Sequence, residues 1–192
     1  MTLLTNAQIG KFESCMVNHD YETAVKSGIK LLQKDFRDGA GIRYGVMCAA
    51  GAIGDLKNAE MIARAFATET PFKGCKGPFG TYDPSVKIDK DDISWFEEIE
   101  LGMAYPLAMA YWKNGNEDRA ADVVERNYKK DSIIEFTKLD RQSFEDGVYK
   151  IRHSFGYRPG SIEELYACCG DMPWEEIEKF NEWYRTSRVD LK

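Results

Sequence analysis

The chain repeats one local pattern three times, and that pattern directs it towards packed helical hairpins. Asn18-His19-Asp20-Tyr21-Glu22-Thr23-Ala24, Ile53-Gly54-Asp55-Leu56-Lys57-Asn58-Ala59 and Asn114-Gly115-Asn116-Glu117-Asp118-Arg119-Ala120 each join a short polar turn to an alanine near the start of a helix. Ala24 and Ala59 lie 35 residues apart, close to the ~34-residue period of two-helix repeats. Ala59 and Ala120 lie 61 apart, about two such periods less a few residues. The second helix of the first copy sets Tyr21, Ala24, Val25, Ile29 and Leu32 at helical spacing.

The remaining signals extend this to a single all-α domain over residues 1–192. Thr5 with Gln8 reads as a capping box opening a helix to about Val17, and a second helix runs from Tyr21 to about Lys34. A third, from about Ile42 to Ile53, is rich in small residues (Ala49, Ala50, Gly51, Ala52) and is expected to be the most buried element. Gly54 ends it and Asp55 caps the next helix, which continues to about Thr68. Residues 70–84 hold three prolines and three glycines, so a long irregular connection is expected to about Lys90. Helix resumes near Asp91 and is expected to run through Trp95, Ile99 and Leu101 to Trp112, with a kink or restart at Pro106. Asp118 to about Tyr128 returns the chain, and residues 132–192 form a C-terminal helical cap. Capping boxes are read there at Ser132/Glu135 and Ser161/Glu164, with a last helix striped by Trp174, Ile177, Phe180 and Tyr184.

On these residues the chain resembles tetratricopeptide-like helical-repeat proteins. Leu107, Ala108, Tyr111, Gly115 and Ala120 fall where that family places its leucine, small residue, tyrosine, turn glycine and second small residue. Val46, Gly54, Ala59, Ala63 and Pro71 do so in the second unit, and Cys15, Asp20, Tyr21 and Ala24 in the first. The early tryptophan is missing from every unit, and Ser132 stands where the third unit's proline belongs. The resemblance covers about residues 5–70 and 93–130. It implies stacked antiparallel hairpins whose first helices line a concave groove, with Asn6, Ile9, Glu13, Tyr44, Cys48, Tyr105, Met109 and Trp112 facing a peptide or partner helix. The alternative is that the C-terminal helices bury Tyr105 and Trp112. The aromatic last helix is open to two uses as well, closing the core or making a homodimer.

Charge decides which partners are expected. The net charge is −6, and residues 97–192 carry all of it, with 14 basic and 20 acidic residues against 12 and 12 in the first half. This argues against a nucleic-acid or anionic-membrane partner. Ser161 to Glu182 holds seven acids and one base, Lys179. Glu163, Glu164, Glu175, Glu176 and Glu178 are therefore candidates for docking a basic protein, beside Tyr105, Met109 and Trp112 from the groove and Phe79 from the long loop.

No catalytic, metal or cofactor set emerges. His19 and His153 sit apart, no Cys-x₂-Cys or His-x₃-His spacing occurs, and Asp89, Asp91 and Asp92 lack a calcium loop's glycine and glutamate. Gly74-Cys75-Lys76-Gly77-Pro78-Phe79-Gly80 lacks the end of a phosphate loop. Cys75, flanked by Lys73 and Lys76, is the best-placed thiol for an enzyme site at the 70–90 loop. Five cysteines, an odd number, fit reduced thiols and a cytoplasmic protein. The expectation is a non-catalytic interaction module, in the manner of a toxin-neutralising immunity protein with an acidic binding surface. The rivals are a groove-binding adaptor or chaperone and an enzyme.

Overall fold

The computed structural model describes residues 6–77, 80–87, 89 and 91–187, and most of them lie in helices. Six form the hairpin region: α1 (Asn6–Val17), α2 (Tyr21–Lys34), α3 (Ile42–Ile53), α4 (Leu56–Ala67), α5 (Leu101–Lys113) and α6 (Glu117–Arg126). Four shorter or later ones follow: α7 (Lys130–Phe136), α8 (Arg141–Arg152), α9 (Ile162–Cys169) and α10 (Trp174–Ser187). A two-residue ladder, β1 (Lys76–Gly77) with β2 (Gly80–Thr81), is antiparallel with Lys76 opposite Thr81. It and a 3-10 turn at Ser94–Glu98 occupy the connection between α4 and α5.

The recurring sequence pattern is one physical device used three times. Asp20, Asp55 and Asn116 each accept the backbone N–H three residues on, from Thr23, Asn58 and Arg119 at 3.3, 3.3 and 3.4 Å. Each thereby caps the second helix of a hairpin. The same three residues close the preceding helix, donating their own N–H to Cys15 O, Ala50 O and Tyr111 O at 2.9, 2.8 and 3.0 Å. This is the six-to-one bond of a Schellman ending. It requires a left-handed residue before the cap, and His19, Gly54 and Gly115 have φ of +57°, +71° and +72°. Four residues after each cap stand Ala24, Ala59 and Ala120, all fully buried where the paired helices cross.

Small residues set how closely the hairpins stack. α3 packs on α2, α4 and α5 with eight of its twelve residues buried, but α5, with eleven of thirteen, exceeds it, a correction to the expectation that α3 is the most buried element. The ring of Phe12 lies against Gly28 and Gly45, and Pro106 of α5 lies against Gly51. α5 runs unbroken through Pro106, contrary to the restart expected there. The break comes earlier: Ile99 is extended at ψ 129° and Glu100 opens a new helix at ψ 144°. Asn127 holds that bend by donating to Ile99 O at 2.9 Å. Burial of Ile99 and this tertiary bond override the local helical pattern.

The C-terminal helices cover the first-helix face of the stack. α9 packs on α3, α5, α7 and α8. Its Cys168 meets Gly102 of α5. α10 lays Phe180 against Tyr105, with ring centroids 5.2 Å apart, and Tyr105 Oη donates to Asn181 Oδ1 at 2.7 Å. The Trp174, Ile177, Phe180 and Tyr184 stripe is buried throughout. The order of the hairpins is compatible with a helical repeat, but the face a ligand would use is filled by the chain itself.

Candidate partner-binding surfaces

A polar hub holds the ends of α3 and α5 together. Asp38 stands at φ +52° and caps α3 from outside, accepting from Ile42 N at 2.6 Å and Arg43 N at 2.9 Å. Burial pushes its carboxyl up to about 6, against the opposing pull of those bonds and of Arg43. Arg43 bridges to Glu100, with Nε at 3.0 Å from Oε2 and Nη2 at 3.2 Å from Oε1, while its Nη1 stays 3.4 Å from Asp38 Oδ2. Tyr44 Oη also donates to Glu100, at 2.8 Å. Glu100 is so engaged that it makes no capping bond to its own helix. Glu164 does this from α9, taking Gly102 N on Oε1 at 2.8 Å and Gly160 N on Oε2 at 2.7 Å.

Beside this hub lies a surface cleft of about 550 Å³ between α1, α3 and α9. Phe12, Met16, Val17 and Ile42 form apolar walls, Tyr44 and Tyr157 add rings, and Glu13 and Asp171 are the acids among the lining residues. Asp171 is engaged by Arg152 at 2.6 Å, and its carbonyl accepts from Tyr21 Oη at 2.7 Å. The Cys168 thiol in the cleft is pushed up to about 12 by burial and by Glu164, so it stays protonated and unreactive at neutral pH.

A second cleft of about 390 Å³ separates α8 from α9, and Asp146, Lys150, Glu163 and Tyr166 help to line it. The Tyr166 ring packs on Gly147, a contact that any larger residue would obstruct. Towards the N-terminus of α10, exposed Glu145, Glu175 and Glu178 surround Arg141. Arg141 lies 2.7 Å from Glu145 and 3.6 Å from Glu175. Glu182 continues the exposed carboxylates along α10.

The structure separates the residues that the sequence singled out. Glu163, Glu175 and Glu178 are exposed on helices, as an acidic docking face requires. Glu164 is buried and serves the fold. Glu176 is half-buried and paired with Lys113 and, at 2.9 Å, with Lys179, which lowers its pKa. Tyr105 and Met109 are fully buried, a correction to the groove reading: Phe180 of α10 and Phe136 of α7 close over Tyr105 because aromatic burial there outweighs an open concave face. Cys48, expected on the same face, is also fully buried. Trp112 is half-buried, with its ring centroid 5.7 Å from Phe180. Phe79 and the capping residue Thr5 lie outside the described residues. Cys75 is buried and its pKa raised by that burial, which removes the physical basis for an activated thiol. Ser132 does not open a helix but lies inside α7, donating to Gly160 O at 3.1 Å.

Two features escaped the sequence reading. Glu145 joins the acidic face from α8, signalled only by its i,i+4 spacing with Arg141. The run Tyr149–Arg158 exposes Tyr149, Phe155 and Tyr157 together. Its interleaving of aromatic and basic residues was the available signal. Among the described residues no cluster of three or more His, Cys, Asp or Glu could hold a metal ion, and no helix is long and apolar enough to cross a membrane. Comparison with protein-family models, curated proteins and solved structures finds no match, so the functional reading rests on this geometry.

Proposed function

We propose that this protein is a non-catalytic inhibitor-type binder that docks a basic protein partner on the carboxylate face of α8 and α10. The observation that carries this reading is the set of exposed Glu145, Glu175, Glu178 and Glu182 on helices whose opposite faces are locked into the core. These carboxylates outnumber Arg141 in their midst, and a face of net negative charge raises the encounter rate with a basic surface and holds its register. In an immunity protein such a face would mask a basic active site. The filled first-helix face disfavours the adaptor alternative, and the buried Cys75 disfavours an enzyme built on that thiol. Five free cysteines, four of them buried, suit a reducing compartment such as the cytoplasm.

The test is capture of the tagged protein with its partner from native cells, then association kinetics over a salt series. The Glu175→Lys/Glu178→Lys variant is expected to slow association by about tenfold and to flatten its salt dependence. Both positions are exposed, so folding should survive. Association indifferent to salt and to this charge reversal would sink the proposal.

A further inference from the structure

We infer that two copies of this chain associate through a reciprocal contact, the Phe155 side chain of each seated in the α1–α3–α9 cleft of the other. Phe155 is the most exposed large apolar side chain among the described residues, at 114% of its reference exposure. It sits on a built turn. Ser154 Oγ donates to Ile151 O at 3.0 Å, Gly156 takes φ +144°, and the Tyr149 and His153 rings lie 4.2 Å apart, tilted by 32°, at the end of the helix leading in. The turn fixes the backbone beneath the ring, so covering it orders little beyond the side chain itself.

The cleft is a matching receptor. Its volume of about 550 Å³ exceeds a benzyl group and leaves room for a neighbouring loop residue, and its walls are mainly apolar. The charges match as well. From Tyr149 to Gly160 the chain carries Lys150, Arg152 and Arg158 and no acid. The cleft lining carries Glu13 and Asp171 and no base. Arg152 is already held by Asp171 of its own copy and Lys150 lines the α8–α9 cleft, which leaves Arg158 to face Glu13 of the second.

Wedge and cleft also lie side by side, since Tyr157, two residues after Phe155, lines the cleft. A two-fold axis passing between them satisfies both contacts at once, as a closed, self-complementary interface demands. This contact uses none of Glu145, Glu175 or Glu178, so it stands or falls independently of the acidic docking face.

Sedimentation velocity of the full chain over a wide concentration range tests it. The expected result is a shift from one chain mass, 21.9 kDa, to two as concentration rises. Phe155→Ala and Val17→Asp, on the wedge and the cleft rim, should each weaken the dimer by about thirtyfold. Both positions are exposed, so the variants should fold, which circular dichroism checks. A wild type that stays monomeric throughout overturns the inference, as does a dimer that both variants leave intact. So does a monomer that instead binds another protein through Phe155.

Discussion

Replacing Gly51 with alanine is expected to destabilise the protein by about 3 kcal/mol, even though alanine is the better helix former. A Cβ at Gly51 would stand 2.8 Å from Pro106 O and 3.0 Å from Pro106 Cα. These are largely backbone atoms of a neighbouring helix, so no side-chain rotation relieves the overlap. α3 and α5 must separate instead, and both are packed on several sides. Propensity favours alanine by about 1 kcal/mol and the enforced separation opposes it by several, so the steric effect wins. Gly10 provides the control. It lies on α1 with nothing within 4 Å of its would-be Cβ. Gly10→Ala should therefore stabilise by about 0.5 to 1 kcal/mol. Urea unfolding of both variants checks the pair. A Gly51→Ala protein as stable as wild type would mean that α3 and α5 do not approach this closely.

Glu164→Ala should cost about 3 kcal/mol, a large effect for a residue that reads as surface acid. The substitution orphans two backbone donors, Gly102 N in the first turn of α5 and Gly160 N in the turn before α9. Neither has a substitute at hand: Glu100 is turned to Arg43 and Tyr44, and Ser161 Oγ is turned to Arg158 O. A carboxylate at a helix N-terminus also gains from the dipole, which alanine forfeits. Glu164→Gln keeps one acceptor oxygen but sets an amide NH₂ against the other donor, so about 1 to 2 kcal/mol should be lost. Denaturant midpoints of the two variants, ranked wild type, Gln, Ala, test this. Both variants within about 0.5 kcal/mol of wild type would contradict the capping role.

These two residues show where the sequence was legible. The span of α2, that of α3 and the burial of the small residues Ala49 to Ala52 follow from local rules, because caps and left-handed turn residues act over a few positions. Glu164 was equally visible as the fourth position of a capping box. Its partners, however, are Gly160 and a backbone amide 62 residues away, and no local rule supplies the second. The same limit explains α5. Pro106 looked like a restart, yet the actual break at Ile99–Glu100 is fixed by Asn127 and by the Arg43 and Tyr44 bonds. The acidic surface was half legible. Glu163, Glu175 and Glu178 were found by counting along the chain, but Glu145 joins them only because Phe144 and Trp174 pack α8 beside α10, with ring centroids 5.4 Å apart. Tyr105 could be read as groove-lining or as covered, and Asn181 with Phe180 decides for covered.

The central claim is that the C-terminal helices close the face of the hairpin stack as an integral part of the fold. Native-state hydrogen exchange of the full chain, followed across low concentrations of denaturant, tests it most directly. The account predicts that the amides of Leu107–Trp112 in α5 and of Ile177–Tyr184 in α10 open with the same free energy, as one cooperative unit. If α9 and α10 instead exchange at far lower free energy while α1–α6 remain protected, the face opens on its own. The adaptor reading would then replace the one proposed above.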